Sequence, residues 1–219
     1  MQRTSFLANE EPLDALCHHF SLAKALFPSN TPLQPTFDMQ IIAPASRMPT
    51  HVLAILPPED NPRPRVPTLM VPVDAHMYHQ CFGGADLLPQ LAPGAPASVP
   101  HFDPGAQIPS VTLPVVPVNA PHGVSIPLLL LFGLGLETDL NLLATRLLPA
   151  NAIGEFPNAA ECSRVMSRMS DAEFQWYLQY NLGIWKNILV LAPRNVELVG
   201  LVQTAYKVVA DARRMRGRG

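Results

Sequence analysis

VTLPVVPVNAPHGVSIPLLLLFGLGLETDLNLLATRLLP, residues 111–149, decides the fold class, because its pattern turns from strand to helix within one stretch. Val111–Asn119 is a β-branched run interrupted by Pro114 and Pro117. Branched side chains favour a pleated surface and proline lacks the ladder N–H, so the run predicts a short or edge strand. Ile126–Phe132 and Leu136–Leu148 read as two buried helical pieces that meet at Gly133–Gly135 and end at Pro149. A strand leading into buried helices points to an α+β domain. The most apolar part, Val124 to Leu136, is 13 residues long and contains Ser125, Pro127, Gly133 and Gly135. A membrane helix needs about 20 apolar residues, so this run belongs to a protein core.

Upstream, Val66–Asp74 (VPTLMVPVD) repeats the proline-broken strand pattern, and Ala75–Phe82 predicts a short helix. Pro89–Gln107 is a Pro/Gly/Ala loop. Residues 28–65 form a Pro-rich, largely irregular segment. Its short apolar pieces, Met39–Ala43 and His51–Leu56, are candidate edge strands, and Pro57–Pro67 has linker composition. Residues 10–27 predict one amphipathic helix: Asn9 caps it, Leu13, Leu16, Cys17, Phe20, Ala23 and Phe27 share a face, and Pro28 stops it.

Downstream the chain reads as helical. Asn158 with Glu161, and Ser170 with Glu173, have capping-box spacing, and Asn195 can cap a third helix after Pro193. Gly183 is a candidate kink. Such helices are marginal alone, so they must pack on one another or on the preceding domain. The organisation expected is an N-terminal amphipathic helix (1–27), a Pro-rich segment (28–65), an α+β domain (66–149) and a helical extension with a short basic tail (150–219).

Composition excludes several function classes. The 219 residues carry 15 Lys+Arg and 17 Asp+Glu, a net charge of −2, so the chain has no overall nucleic-acid footprint. Of the 25 prolines, 23 precede residue 150, and the last 70 residues carry 9 basic against 6 acidic groups. Three scattered cysteines, Cys17, Cys81 and Cys162, form no disulfide framework and suit a reducing compartment. The N-terminus lacks the apolar core of a secretory signal. Nucleus or cytoplasm is the expected location.

Few constellations suggest chemistry. His76, His79 and Cys81 are the most metal-like cluster, but a fourth ligand is not evident, and Cys17–His18–His19 points three ways around a helix. Gly133-Leu-Gly135 lacks the third glycine of a dinucleotide fingerprint, and its glycines suit close packing. Glu137 with Asp139, and Asp171 with Glu173, are paired acids, the second explained by a helix N-terminus. Nucleophile motifs are absent. The expectation is therefore no metal, no cofactor and no enzyme activity. A ligand site or active site built from scattered residues is the alternative.

Two surface features remain. Trp176 and Tyr180 lie one helical turn apart and off the apolar stripe that carries Tyr177 and Trp185, which makes them a candidate partner-binding patch; packing against the Pro-rich half is the competing reading. Arg213, Arg214, Arg216 and Arg218 form the basic tail, read either as cations complementing a helix C-terminus or as an import signal or phosphate contact.

The segments 66–82 and 111–149, with GIWKNILVLAPRNVELVGLVQTAYKVVADARR (183–214), resemble the clampless-type proteins of basidiomycete fungi. That resemblance implies a non-enzymatic regulator of sexual development, in clamp-cell formation and dikaryon growth. It would act with homeodomain mating-type factors or other transcription factors through protein contacts, without membrane attachment or direct sequence-specific DNA binding. The strand and short helix of Val71–Phe82, followed by a strand, a proline turn and a buried helix pair, also resemble a BTB/POZ-type layout. Pro72, Pro114 and Pro117 depart from it, because they fall inside expected strands.

Overall fold

The structure is a computed structural model that describes residues 5–28, 31–44, 47–56, 67–84, 87–89, 98–103 and 108–217. The expected linker at 57–66, most of the loop between Pro89 and Gln107, and Arg218 lie outside the described residues. In chain order the elements are α1 (Pro12–His19), β1 (Ala25–Phe27), β2 (Thr36–Gln40), β3 (His51–Leu56), β4 (Thr68–Val73), α2 (Ala75–Cys81), β5 (His101–Asp103) and β6 (Ile108–Asn119). There follow α3 (Ile126–Gly133), α4 (Leu140–Leu147), α5 (Ala150–Ile153), α6 (Ala159–Ser167), α7 (Asp171–Leu191) and α8 (Val196–Arg216). The fold is α+β.

The mixed sheet has the order β1-β4-β3-β6-β2, with β5 also pairing β6. Only β3 and β6 run parallel, in the register Val52↔Val115. Three strands differ from expectation, since β3, β4 and β6 are interior rather than edge strands. Pairing geometry explains how β4 and β6 hold prolines. Residues 110–114 of β6 pair with β2, and 115–119 pair with β3. Pro114 therefore faces only Thr36 and Pro117 only Ala54, whereas Pro109 pairs with Phe102 and also accepts the Ile41 N–H through its carbonyl. Pro72 of β4 pairs with Val52, beyond the end of β1, which stops at Met70. Pro72, Pro114 and Pro117 each have a strand partner on one edge only, so a missing N–H on the other edge breaks no ladder bond.

The first helix is shorter than its apolar periodicity predicts. It ends at His19, and Ser21 takes a left-handed backbone (φ 56°) that turns the chain back. The Leu22 N–H then bonds the Cys17 carbonyl, and Ala25–Phe27 joins the sheet beside β4. Asn9 closes a preceding 3-10 turn instead of capping α1; Glu11 holds the cap position without a side-chain bond. The segments before residue 66 thus supply three strands, and the sheet is not confined to 66–149.

All eight residues of α3 (IPLLLLFG) are buried, as a helix apolar on every side must be. It packs against α1 and α7. Gly135, at φ 67°, ends this segment, and Asp139 caps α4 at the Asn141 N–H, later than the Leu136 start expected. Glu137 bridges that turn. It accepts N–H bonds from Thr138 (2.8 Å) and Asp139 (3.0 Å) and the Ser5 hydroxyl, tying down the N-terminal segment.

The expected caps of the last three helices are present. Asn158 accepts from the Glu161 N–H, Ser170 from Glu173, and Asn195 from Glu197 and Leu198. Helix α8 packs on α6 and α7. The α7–α8 hairpin is clasped to the end of α2: Gly83 N–H bonds the Ala192 carbonyl (2.8 Å), Gly84 the Leu191 carbonyl (2.9 Å), and Arg194 N–H the Cys81 carbonyl (2.8 Å). The helical extension is therefore one body with the sheet domain. No helix among the described residues is long and apolar enough to cross a membrane.

Gly133 and Gly200 make opposite demands on an added methyl. A Cβ at Gly133 would lie 2.2 Å from Cζ of Phe82, which is buried and stacked on Tyr78. Gly133→Ala should cost about 1–3 kcal/mol. A Cβ at Gly200, inside α8, meets nothing within 4 Å, so Gly200→Ala should gain about 0.5–1 kcal/mol. Thermal melts followed by circular dichroism should show shifts of opposite sign. A neutral Gly133→Ala would show that Phe82 does not seat on α3.

Candidate functional site

A groove of about 800 Å³ opens where α1, α4, α7 and the turn before α3 meet. Its wall on α7 is Trp176 and Tyr180, stacked face to face with centroids 5.2 Å apart and planes 7° apart. Trp176 is 56% exposed. Tyr177 meets Trp176 edge-on, and His122 meets Tyr180 edge-on at 5.3 Å. The Pro-rich half reaches this wall at His122, with Pro12, Val124 and Arg146 also lining the groove, yet it leaves the indole exposed.

His122 reaches the wall because residue 183 has no side chain. A Cβ at Gly183 would sit 2.5 Å from the His122 ring. Helix α7 runs unbroken through this position, so Gly183 provides close approach rather than the kink expected. Buried Asn187 fixes the turn that carries His122. Its Nδ2 donates to the His122 carbonyl (2.7 Å) and to Ser125 Oγ (2.9 Å), and its Oδ1 accepts the His122 N–H (3.3 Å). Across the groove, Arg146 donates from Nη1 to both Glu11 carboxylate oxygens (3.1 and 3.2 Å) and from Nη2 to the Glu10 carbonyl (2.9 Å). This bond clasps α4 to the start of α1 and leaves Glu11 71% exposed.

Titration in the groove follows burial. Burial pushes the Tyr180 hydroxyl up to about 12, with Arg146 opposing and Glu11 adding to the rise. His122 is pushed below the ordinary histidine value, also by burial. At neutral pH the groove presents a protonated phenol, a neutral imidazole and one internally paired arginine. That is a poor acid–base pair and a good aromatic contact surface.

The remaining sequence candidates serve the fold. Arg216, expected in the basic tail, is consumed in packing. It donates to the Ser167 (2.9 Å) and Met169 (2.7 Å) carbonyls, pairs with Asp171 and lies 4.7 Å over the Phe174 ring. Arg214 pairs with Asp211, and Arg213 is exposed. His18 pairs with Glu10, and Phe6 packs on the His18 and His19 rings. His79 reaches the Pro89 carbonyl at 3.5 Å. Among the described residues no three His, Cys, Asp or Glu side chains converge to hold a metal. Cys17, Cys81 and Cys162 are free thiols. Glu137 and Asp139 are both used at the α3–α4 turn, and Glu173 takes the Ser170 hydroxyl.

Sequence reading found Trp176 and Tyr180 from helical phase. It missed Glu11, His122 and Arg146, which come from three other elements and carry no local signal. The chain matches no family model, no curated protein and no solved structure.

His122 and the buried His51 are both held below the usual histidine value by burial, His51 also by the nearby His79. Their folded forms bind protons less readily than the unfolded chain, whose histidines titrate near about 6.5. Stability is therefore undiminished above that value and declines as pH falls through it, because unfolding then takes up protons. Glu137, whose burial is outweighed by its three hydrogen bonds, is held below the ordinary carboxylate value, so its stabilisation is lost only at more acid pH. The urea midpoint should drop between pH 7 and 5, and less steeply in His51→Gln. A flat midpoint over that range would mean both rings are open to water.

Proposed function

We propose that this chain is a non-enzymatic regulatory protein that binds a segment of a partner protein in the Trp176–Tyr180 groove. The observation that supports it is the exposed indole: a large apolar ring held rigid by stacking, at the mouth of a groove, is the kind of anchor that dominates protein contacts. The rings offer a face for apolar or prolyl side chains, and Glu11 offers a charge for a cation on the same segment. The groove volume lies in the range of small-molecule pockets, which favours ligand binding as the second reading.

The resemblance to clampless-type proteins suggests the setting: sexual development in a basidiomycete, in nucleus or cytoplasm, with a homeodomain mating-type factor or another transcription factor as partner. Contact with DNA is then indirect. With Arg216 engaged in packing, too few free arginines remain in the tail for tight binding at physiological salt.

Trp176→Ala separates binding from folding better than any change at Tyr180, which packs on His122. It should cost about 1 kcal/mol or less and move the thermal midpoint by only a few degrees. In a pairwise binding assay with homeodomain mating-type factors, it should abolish an interaction that the unaltered chain makes. Retained binding, or a tight sequence-specific gel shift by the chain alone, would refute the reading.

A further inference from the structure

A second face of α7 is only partly covered: Leu178 is buried, Leu182 and Trp185 are half-buried and Leu189 is exposed. Leu178, Leu182, Trp185 and Leu189 follow one another at spacings of 4, 3 and 4, the seam of helices that pack side by side. On α8, Val199, Tyr206 and Ala210 continue the same surface. Trp185 stacks on Tyr206 with centroids 5.8 Å apart. Leu178, Leu182, Tyr206 and Ala210 line a cavity of about 540 Å³ rimmed by Arg213 and Arg214. Leu189, at the other end, is 64% exposed. Two antiparallel helices with an apolar outer seam are two members of a three-helix arrangement.

The flanks of this seam differ. On the inner side, Asn181 and Ile188 of α7 and Val202 and Val209 of α8 are buried. On the outer side, Gln179 and Lys186 of α7 and Lys207, Arg213 and Arg214 of α8 are exposed, and Asp211, next after Ala210, is half-buried. This flank carries four cations against one acid, Asp211. Of these, only Arg214 has an ion pair among the described residues, with Asp211.

We propose that the α7–α8 seam receives an amphipathic helix of a partner protein, with leucine-like residues on its contact stripe and glutamate or aspartate on its flanks. This rests on the reading of the chain as a protein-binding regulator and adds a docking face on the opposite side of α7 from Trp176. Charge selects the occupant. A second copy of this chain would set Lys186 and Lys207 against the same cations at mid-seam, whereas an acidic helix would pair with them.

The probe is a labelled designed helix of about four heptads, leucine on its stripe and glutamate on its flanks, beside a twin with lysine for glutamate. Fluorescence anisotropy with the full chain should show the acidic peptide bound about tenfold or more tightly than its twin, with the preference shrinking as salt rises. Leu189→Glu changes an exposed residue and should weaken binding about tenfold with an unchanged thermal midpoint. Lys186→Glu with Lys207→Glu should reverse the charge preference, and Trp176→Ala should leave it intact. Equal affinity for the twins, no binding of the acidic peptide, or indifference to Leu189→Glu would overturn the proposal. So would a dimer in sedimentation that Leu189→Glu dissolves, which would give the seam to a second copy. Loss of homeodomain-factor binding on Trp176→Ala is read separately, so either docking face can fail without the other.

Discussion

Everything in this fold is arranged around burying Ile126–Gly133 on all sides. An eight-residue helix with no polar face cannot sit at a surface, so it needs neighbours from both ends of the chain. Helix α1 lies on one side and α7 on another. Its N-terminal approach is held by Asn187 through Ser125 and the His122 backbone. Its C-terminal end is closed by Phe82 seated on Gly133. These contacts make the Pro-rich N-terminal half and the helical C-terminal half mutually dependent. The Gly83–Gly84 clasp on Leu191–Ala192 then adds backbone hydrogen bonds where α2 meets the helical hairpin.

That interdependence explains which features the sequence makes legible. Caps are local, so Asn158, Ser170 and Asn195 announced three helices correctly, and Asp74 caps α2 in the same way. The α+β class was legible from the change of period after Asn119. Strand order was not, because it depends on which partner ends where. Prolines that look fatal to a central strand are acceptable once β2, β3, β5 and β1 each cover only part of a neighbour's length. Helix α1 was overestimated for a related reason. Ala23 and Phe27 keep helical spacing with Leu16 and Phe20, but pairing of Ala25–Phe27 with β4 outweighs continuation past Ser21.

The candidate site shows the same division. The exposure of Trp176 follows from helical phase, since it lies off the apolar stripe, whereas Tyr180 shares that phase but packs on His122. The opposite wall does not follow from phase, because Glu11 and Arg146 meet across 135 residues of sequence and His122 arrives through a turn. Gly183 illustrates how one residue supports two readings. Within a helix glycine suggests a bend, yet here it removes a side chain so that an imidazole can lie against the helix.

Helix α7 owes its two unlike outer faces to polar atoms on its inner one. Asn181 and Asn187 are buried and would be costly there without partners. Asn181 donates to the Leu147 carbonyl at the end of α4 and to the Tyr177 carbonyl, and Asn187 grips the turn before α3. An all-apolar face tolerates rotation, since leucines repack at small cost, but a helix rotated by one position would carry Asn181 away from the Leu147 carbonyl and Asn187 away from the His122 turn. The two asparagines therefore set the phase of α7 about its axis. With the phase set, Trp176 must stand at the groove and the Leu178–Leu189 seam must face outward beside α8. The surfaces offered to partners are consequences of hydrogen bonds made in the core.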